Sequence, residues 1–250
     1  MNPLLAGRWL WAKWKAWGQS PPVGRVRFGS LRRVTPLSRE FGYDRGQPID
    51  RYYIERFLSA HASDIRGHVL EIADATYTRR FGRDRVTKSD VLHVLQGQPG
   101  ATIVGDLTCA DHLPSATFDC VILTQTLQFI YDVPAALRTV SRILRPGGTV
   151  LATVPGITPI SRYDLERWGC YWAFTSQSAR RLFETVFPAA AVAVEAHGNV
   201  LAASAFLYGM AAEELKPGEL DARDPDYPVV ITVRAARPPT QVPEELKSPR

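Results

Sequence analysis

The chain has 250 residues, 45% hydrophobic and 22% charged, an ordinary globular profile with room for one well-developed core. It contains no run of eighteen apolar residues, which excludes a spanning helix, and it starts without the apolar stretch and cleavage site of a secretory signal. The net charge of +5 is uneven: residues 1–50 carry nine Lys/Arg against three Asp/Glu, while residues 51–250 carry twenty-one against twenty-two. A basic segment before a near-neutral body points to a local surface contact rather than to nucleic acid. Cys109, Cys120 and Cys170 form no CxxC pair and no disulfide framework, which fits a reducing, cytoplasmic setting. His61, His68 and His93 show no metal spacing, so no metal is expected.

Residues 4–17 (LLAGRWLWAKWKAW) place Trp9, Trp11, Trp14 and Trp17 among Arg8, Lys13 and Lys15, and Leu10, Trp14 and Trp17 would share a helix face. Such a face suits a lipid headgroup region, the rest of the domain or a second copy of the chain. Two prolines at 21–22 stop that helix. Asp50 is a candidate cap for a helix over 51–62. Apolar runs then predict strands at 68–73, 86–92, 101–106, 118–124, 149–154, 190–197 and 227–235. Helices are predicted at 134–144, stopped by RPGG, at 176–187, capped by Ser176, and at 199–215. The alternation implies an α/β fold, a doubly wound, mostly parallel seven-stranded sheet. The division reads as an N-terminal extension over 1–49, a domain over 50–236 and a disordered tail over 237–250.

Open α/β sheets bind ligands beyond the carboxyl ends of their strands. Glu71, Asp90 and Asp106 read as acids at three successive strand ends. Asp90 follows Glu71 by nineteen positions, near the spacing of a ribose-binding carboxylate.

Five segments carry a resemblance: VLEIADATYT (69–78), SDVL (89–92), GDLTCADHLPSATFDCVIL (105–123), LQFIYD (127–132) and LRPGGTVLATVP (144–155). Over residues 50–235 the chain resembles class I S-adenosylmethionine-dependent methyltransferases of the small-molecule type. The resemblance implies that the loop Glu71, Ala73, Ala75, Tyr77 meets the cofactor. It also implies that Asp90 holds the ribose, Asp106 and Leu107 meet the adenine, and Thr124 and Gln125 face the methionine part. Ala73, Ala75 and Tyr77 stand where the family has glycines.

The segment SRYDLERWGCYWAFTSQSARRLF (161–183) would shape the acceptor pocket. Gln128, Arg162, Trp168, Tyr171 and Trp172 are the candidate acceptor contacts, with Tyr163, Asp164 and His197 the candidate bases. Its make-up resembles methyltransferases encoded beside glycosyltransferases, which implies O-methylation of a glycan, a glycosylated metabolite or another small molecule. The alternative is a catalytically inactive partner subunit of a glycan or natural-product assembly complex. Homodimerisation and membrane association through residues 4–17 complete the expectations.

Overall fold

A computed structural model describes residues 20–239. The expected helix over 4–17 and the last eleven residues of the tail lie outside the described residues. The described residues divide into two units, with the boundary between Pro36 and Leu37. In the first unit, a 3-10 turn over Gly29–Leu31 brings the Arg32 guanidinium over the Phe28 ring at 5.7 Å.

The second unit is built on a seven-stranded sheet: β1 (Gly67–Ile72), β2 (Val86–His93), β3 (Ile103–Val104), β4 (Phe118–Thr124), β5 (Leu144–Pro155), β6 (Val192–His197) and β7 (Val230–Ala236). Their order is β3-β2-β1-β4-β5-β7-β6, all parallel except β7, which runs antiparallel to both of its neighbours. Helices α1 (Ile49–Ala60), α2 (Val133–Ile143), α3 (Arg162–Trp168), α4 (Ser176–Glu184), α5 (Val200–Leu207) and α6 (Pro217–Asp221) complete it. The central strands β1, β4, β5 and β7 are largely apolar on both faces because both faces are covered, while β2, β3 and β6 toward the edges stay partly exposed. One core packs α2 and α4 through Leu137, Val140 and Phe183 onto Leu70, Val121 and Val233. The other packs α1 and α5 through Ile54, Leu58 and Phe206 onto Val69, Ile122 and Leu151. The doubly wound expectation is met.

Several local expectations change. The compact body begins at Leu37, not at 50: Leu37 N–H donates to Tyr208 O (2.8 Å), Pro48 bridges Ala211, and Arg45 pairs with Glu214 at 2.5 Å. Asp50 does not cap α1; Pro48 occupies the N-cap and Asp50 sits in the first turn. The helix of 176–187 is capped by Thr175, whose hydroxyl accepts from Ser178 N–H, not by Ser176. RPGG does not cap α2 but forms an irregularity inside β5, with Gly147 at φ +81°. The helix expected over 199–215 ends at Leu207, because Gly209 turns at φ +70° to let the Ser38 backbone in. Arg237 also belongs to the body, its guanidinium donating to the carbonyls of Ser141, Arg142 and Leu144.

Candidate functional site

The strand order reverses between β1 and β4, and a cleft of about 1120 Å³ opens beyond the carboxyl ends of these strands. Its floor begins at the turn after β1. Ala73 there holds φ +73°, a left-handed conformation that side chains disfavour, and its N–H donates to Leu92 O at 3.0 Å. The turn thus keeps a glycine-type backbone without the glycine. The buried Glu71 carboxylate braces it, accepting from the N–H groups of Tyr77 (3.1 Å) and Thr78 (2.7 Å). Burial pushes the Glu71 carboxyl upward, and these donors pull against that shift.

Tyr77 lines the cleft as a wall. Its hydroxyl accepts from Arg51 on α1 at 3.1 Å, and Arg51 also donates to Tyr43 at 2.9 Å. Burial works against the Arg51 charge, but Asp50, Tyr77 and Tyr43 outweigh it. Burial raises the Asp50 carboxyl, opposed by Arg51. Glu40, Tyr43, Asp50 and Arg51 are cleft residues that the sequence did not mark as such. Asp50 and Arg51 read only as the start of a helix, and Glu40 and Tyr43 lie in a segment whose turn-forming residues and charges look like an extension until 37–48 is seen clasping 208–214.

The expected ribose ligand is elsewhere. Asp90 sits three residues short of the carboxyl end of β2, and its buried carboxylate contacts His68 Nε2 (2.6 Å), Lys88 Nζ (3.1 Å) and Thr102 Oγ1 (2.9 Å). Burial favours its protonated form, but His68, Thr102 and Lys88 prevail and hold it below the usual carboxylate range. The residue that does end β2 at the cleft is His93, whose Nδ1 accepts from Leu95 N–H at 3.0 Å. In the neutral ring this leaves the proton on Nε2. Its ring meets the edge of Trp168 at 5.5 Å.

Three other expected site residues also lie outside the cleft lining. Ala75 is buried under the turn, and Arg162 starts α3 in solvent. His197 packs against Tyr53 and bonds Thr232 Oγ1 at 3.0 Å on the sheet face covered by α1, so it is no base for this cleft. Asp106, Leu107, Thr124, Gln125 and Gln128 line the cleft, as do Tyr163, Asp164, Trp168, Tyr171 and Trp172. Asp106 makes a turn with Thr108, accepting from its N–H and hydroxyl at 2.8 Å each. Gln128 is buried; its Nε2 donates to Gln125 O at 3.0 Å, while its Oε1 has no protein partner. Arg167 lies over the Tyr163 ring at 3.5 Å.

The charge of this cleft opposes that of the chain. Glu40, Asp50, Glu71, Asp74, Asp106, Asp132 and Asp164 line it against Arg51 and Arg167. A cationic ligand fits it, and an amino group would satisfy the orphaned Gln128 Oε1. Among the described residues no group of three or more His, Cys, Asp or Glu could hold a metal, and no helix is long and apolar enough to cross a membrane.

Comparisons with known proteins agree with this geometry. Residues 50–152 match the family model described as a methyltransferase domain. The ubiquinone/menaquinone biosynthesis C-methyltransferase UbiE of Escherichia coli is 36% identical over 83 residues, 29% of this chain and 33% of that protein. The chain therefore spans about a third of the length of the curated relatives it matches. Among solved structures, a SAM-dependent methyltransferase from Archaeoglobus fulgidus superposes with a TM-score of 0.51 at 10% identity, over 75% of this chain and 94% of that one. The [4+2]-cyclase SpnF also gives 0.51, at 15% identity over 78% and 85%. The fold is that of the Rossmann-like methyltransferases. Its likeness to a cyclase as well leaves the reaction to be argued from the site.

Proposed function

We propose that the protein is an S-adenosylmethionine-dependent methyltransferase acting on a small-molecule acceptor. The acidic cleft at the switch point supports this reading most, because the cofactor is a cation and carries a methyl group on a sulfonium ready for in-line displacement. Around it, the Glu71-braced turn and the Gln128 amide oxygen hold the amino acid part, and Asp106 and Leu107 border the adenine. His93 Nε2–H, rather than Asp90, faces the ribose. Trp168, Tyr171 and Trp172 wall off the acceptor and exclude water. Asp164 is the proton acceptor for a hydroxyl: it is the cleft carboxylate on α3, its backbone N–H held by the Ser161 cap (3.2 Å). A hydroxylated head, such as that of a glycosylated metabolite, is the acceptor this arrangement favours, giving an O-methyl product.

Isothermal titration of the full chain with S-adenosylmethionine tests the reading. Micromolar binding is the expected result; absence of heat at millimolar cofactor would overturn it. Asp164→Asn should lower kcat about 10²-fold or more while cofactor affinity stays put. Retained affinity without turnover on any acceptor would favour the second reading, an inactive assembly subunit.

The first unit has its own proposed role. Residues 1–36 carry seven Lys/Arg, four Trp and no Asp or Glu. We assign them to peripheral contact with an anionic membrane. Sedimentation with anionic vesicles should lose the protein when 1–36 are deleted.

A further inference from the structure

A second groove, of about 680 Å³, lies beside the cleft between α2, α4 and the segment before α4. The two share Tyr131 and Trp172, so they are continuous. Tyr131 stands 71% exposed, stacked on Trp172 at 5.8 Å and edge-on to Tyr171 at 5.4 Å. Aromatic rings at such a rim suit either a sugar or an apolar chain. The hydrogen bonds decide between them.

Most polar groups along this groove are already committed; among the described residues only the exposed Tyr131 hydroxyl and Arg181 guanidinium are not. The Trp172 indole N–H donates to Ile130 O at 3.0 Å. Thr175 and Ser178 satisfy each other in the α4 capping box. Thr185 Oγ1 donates to Leu182 O at 2.6 Å. Apart from the exposed Arg181, the remaining walls are carbon: Val133, Pro134, Ala173, Phe174 and Leu182. A saccharide laid along these walls would give up water around its hydroxyls with only Arg181 and Tyr131 to replace it, a net cost. An apolar chain gives up nothing and gains burial.

We propose that the acceptor is amphiphilic. Its polar, reacting head sits in the acidic cleft, and its apolar chain leaves past Tyr131 and Trp172 into the second groove. This deepens the methyltransferase reading and rests on it for the identity of the head, but the groove can be tested alone.

Full-length protein is titrated with methyl, hexyl and octyl β-D-glucoside, each below its micellar concentration, and with maltotetraose. Affinity should rise about two- to fourfold per added methylene, the gain expected for a CH₂ leaving water. Ala173→Glu, at an exposed position in the groove, should erase that chain-length dependence and leave cofactor affinity alone; Leu182→Gln serves as a second variant should Ala173→Glu misfold. Equal affinity for methyl and octyl glucoside, or octyl binding indifferent to both variants, overturns the proposal. So does tighter binding of maltotetraose than of octyl glucoside, which would make the groove a glycan site. A dimer in sedimentation velocity that either variant dissolves would assign the groove to a second copy and equally overturn it. Failure of S-adenosylmethionine to bind while the chain-length dependence persists would sink the methyltransferase reading and spare the groove.

Discussion

Ala73 shows how a single residue can keep a functional backbone at a cost. In the left-handed region an alanine is strained by about 1–2 kcal/mol, partly offset because glycine is freer when unfolded. Ala73→Gly should therefore stabilise the protein by about 0.5–1 kcal/mol and raise Tm by about 2 °C in calorimetry. The sequence shows the missing glycine but not the retained φ, because nothing local forces it; the Glu71 brace six residues upstream of Tyr77 does. Asp90 and His93 make the opposite case. The nineteen-residue spacing from Glu71 matched a general rule, but β2 continues three residues further before reaching the cleft. Asp90→Asn should cost about 1–3 kcal/mol in urea denaturation, since it weakens a buried cluster, while cofactor affinity holds. His93→Ala should do the reverse. A loss of cofactor affinity in Asp90→Asn would restore the ribose role to that residue.

Periodicity located all seven strands and the main helices that cover them; the signature is strongest in β1, β4, β5 and β7, where burial on both faces keeps the strand apolar. Element ends were misplaced where tertiary contacts set them. The sequence gives no hint that Ser38 enters at Gly209 and stops α5, or that RPGG continues as part of β5. β6 carries the element-scale prediction. Its last residue, His197, is pushed down to about 4 by burial, with Arg223 and Arg56 adding to the shift and Glu195 opposing it. Below the ordinary value of 6.5, the unfolded chain takes up a proton that the folded chain refuses. Stability therefore falls as pH drops from about 6.5 towards about 4. His197→Gln, which keeps a polar partner for Thr232, should flatten that part of the pH–stability curve measured in urea.

At the scale of the whole molecule, charge is segregated: a basic leading unit and an acidic cleft offset each other in the sum. The total of +5 therefore describes neither part. Removing residues 1–36 should leave Tm unchanged in a thermal scan, because the body begins at Leu37. A large drop would mean that the first unit belongs to the body's fold. The clasp of 37–48 on 208–214 has a further consequence, one of timing. Gln47 N–H meets the Glu213 carboxylate across 166 positions of chain. The cleft wall formed by Glu40, Tyr43 and Arg51 borders that clasp. On the ribosome the parallel strands β1 to β5 can assemble as they emerge, but this wall must wait until residue 214 is free. Long-range closure is slow. Cofactor binding should accordingly be the last signal to appear in refolding, after the sheet has already regained its circular dichroism.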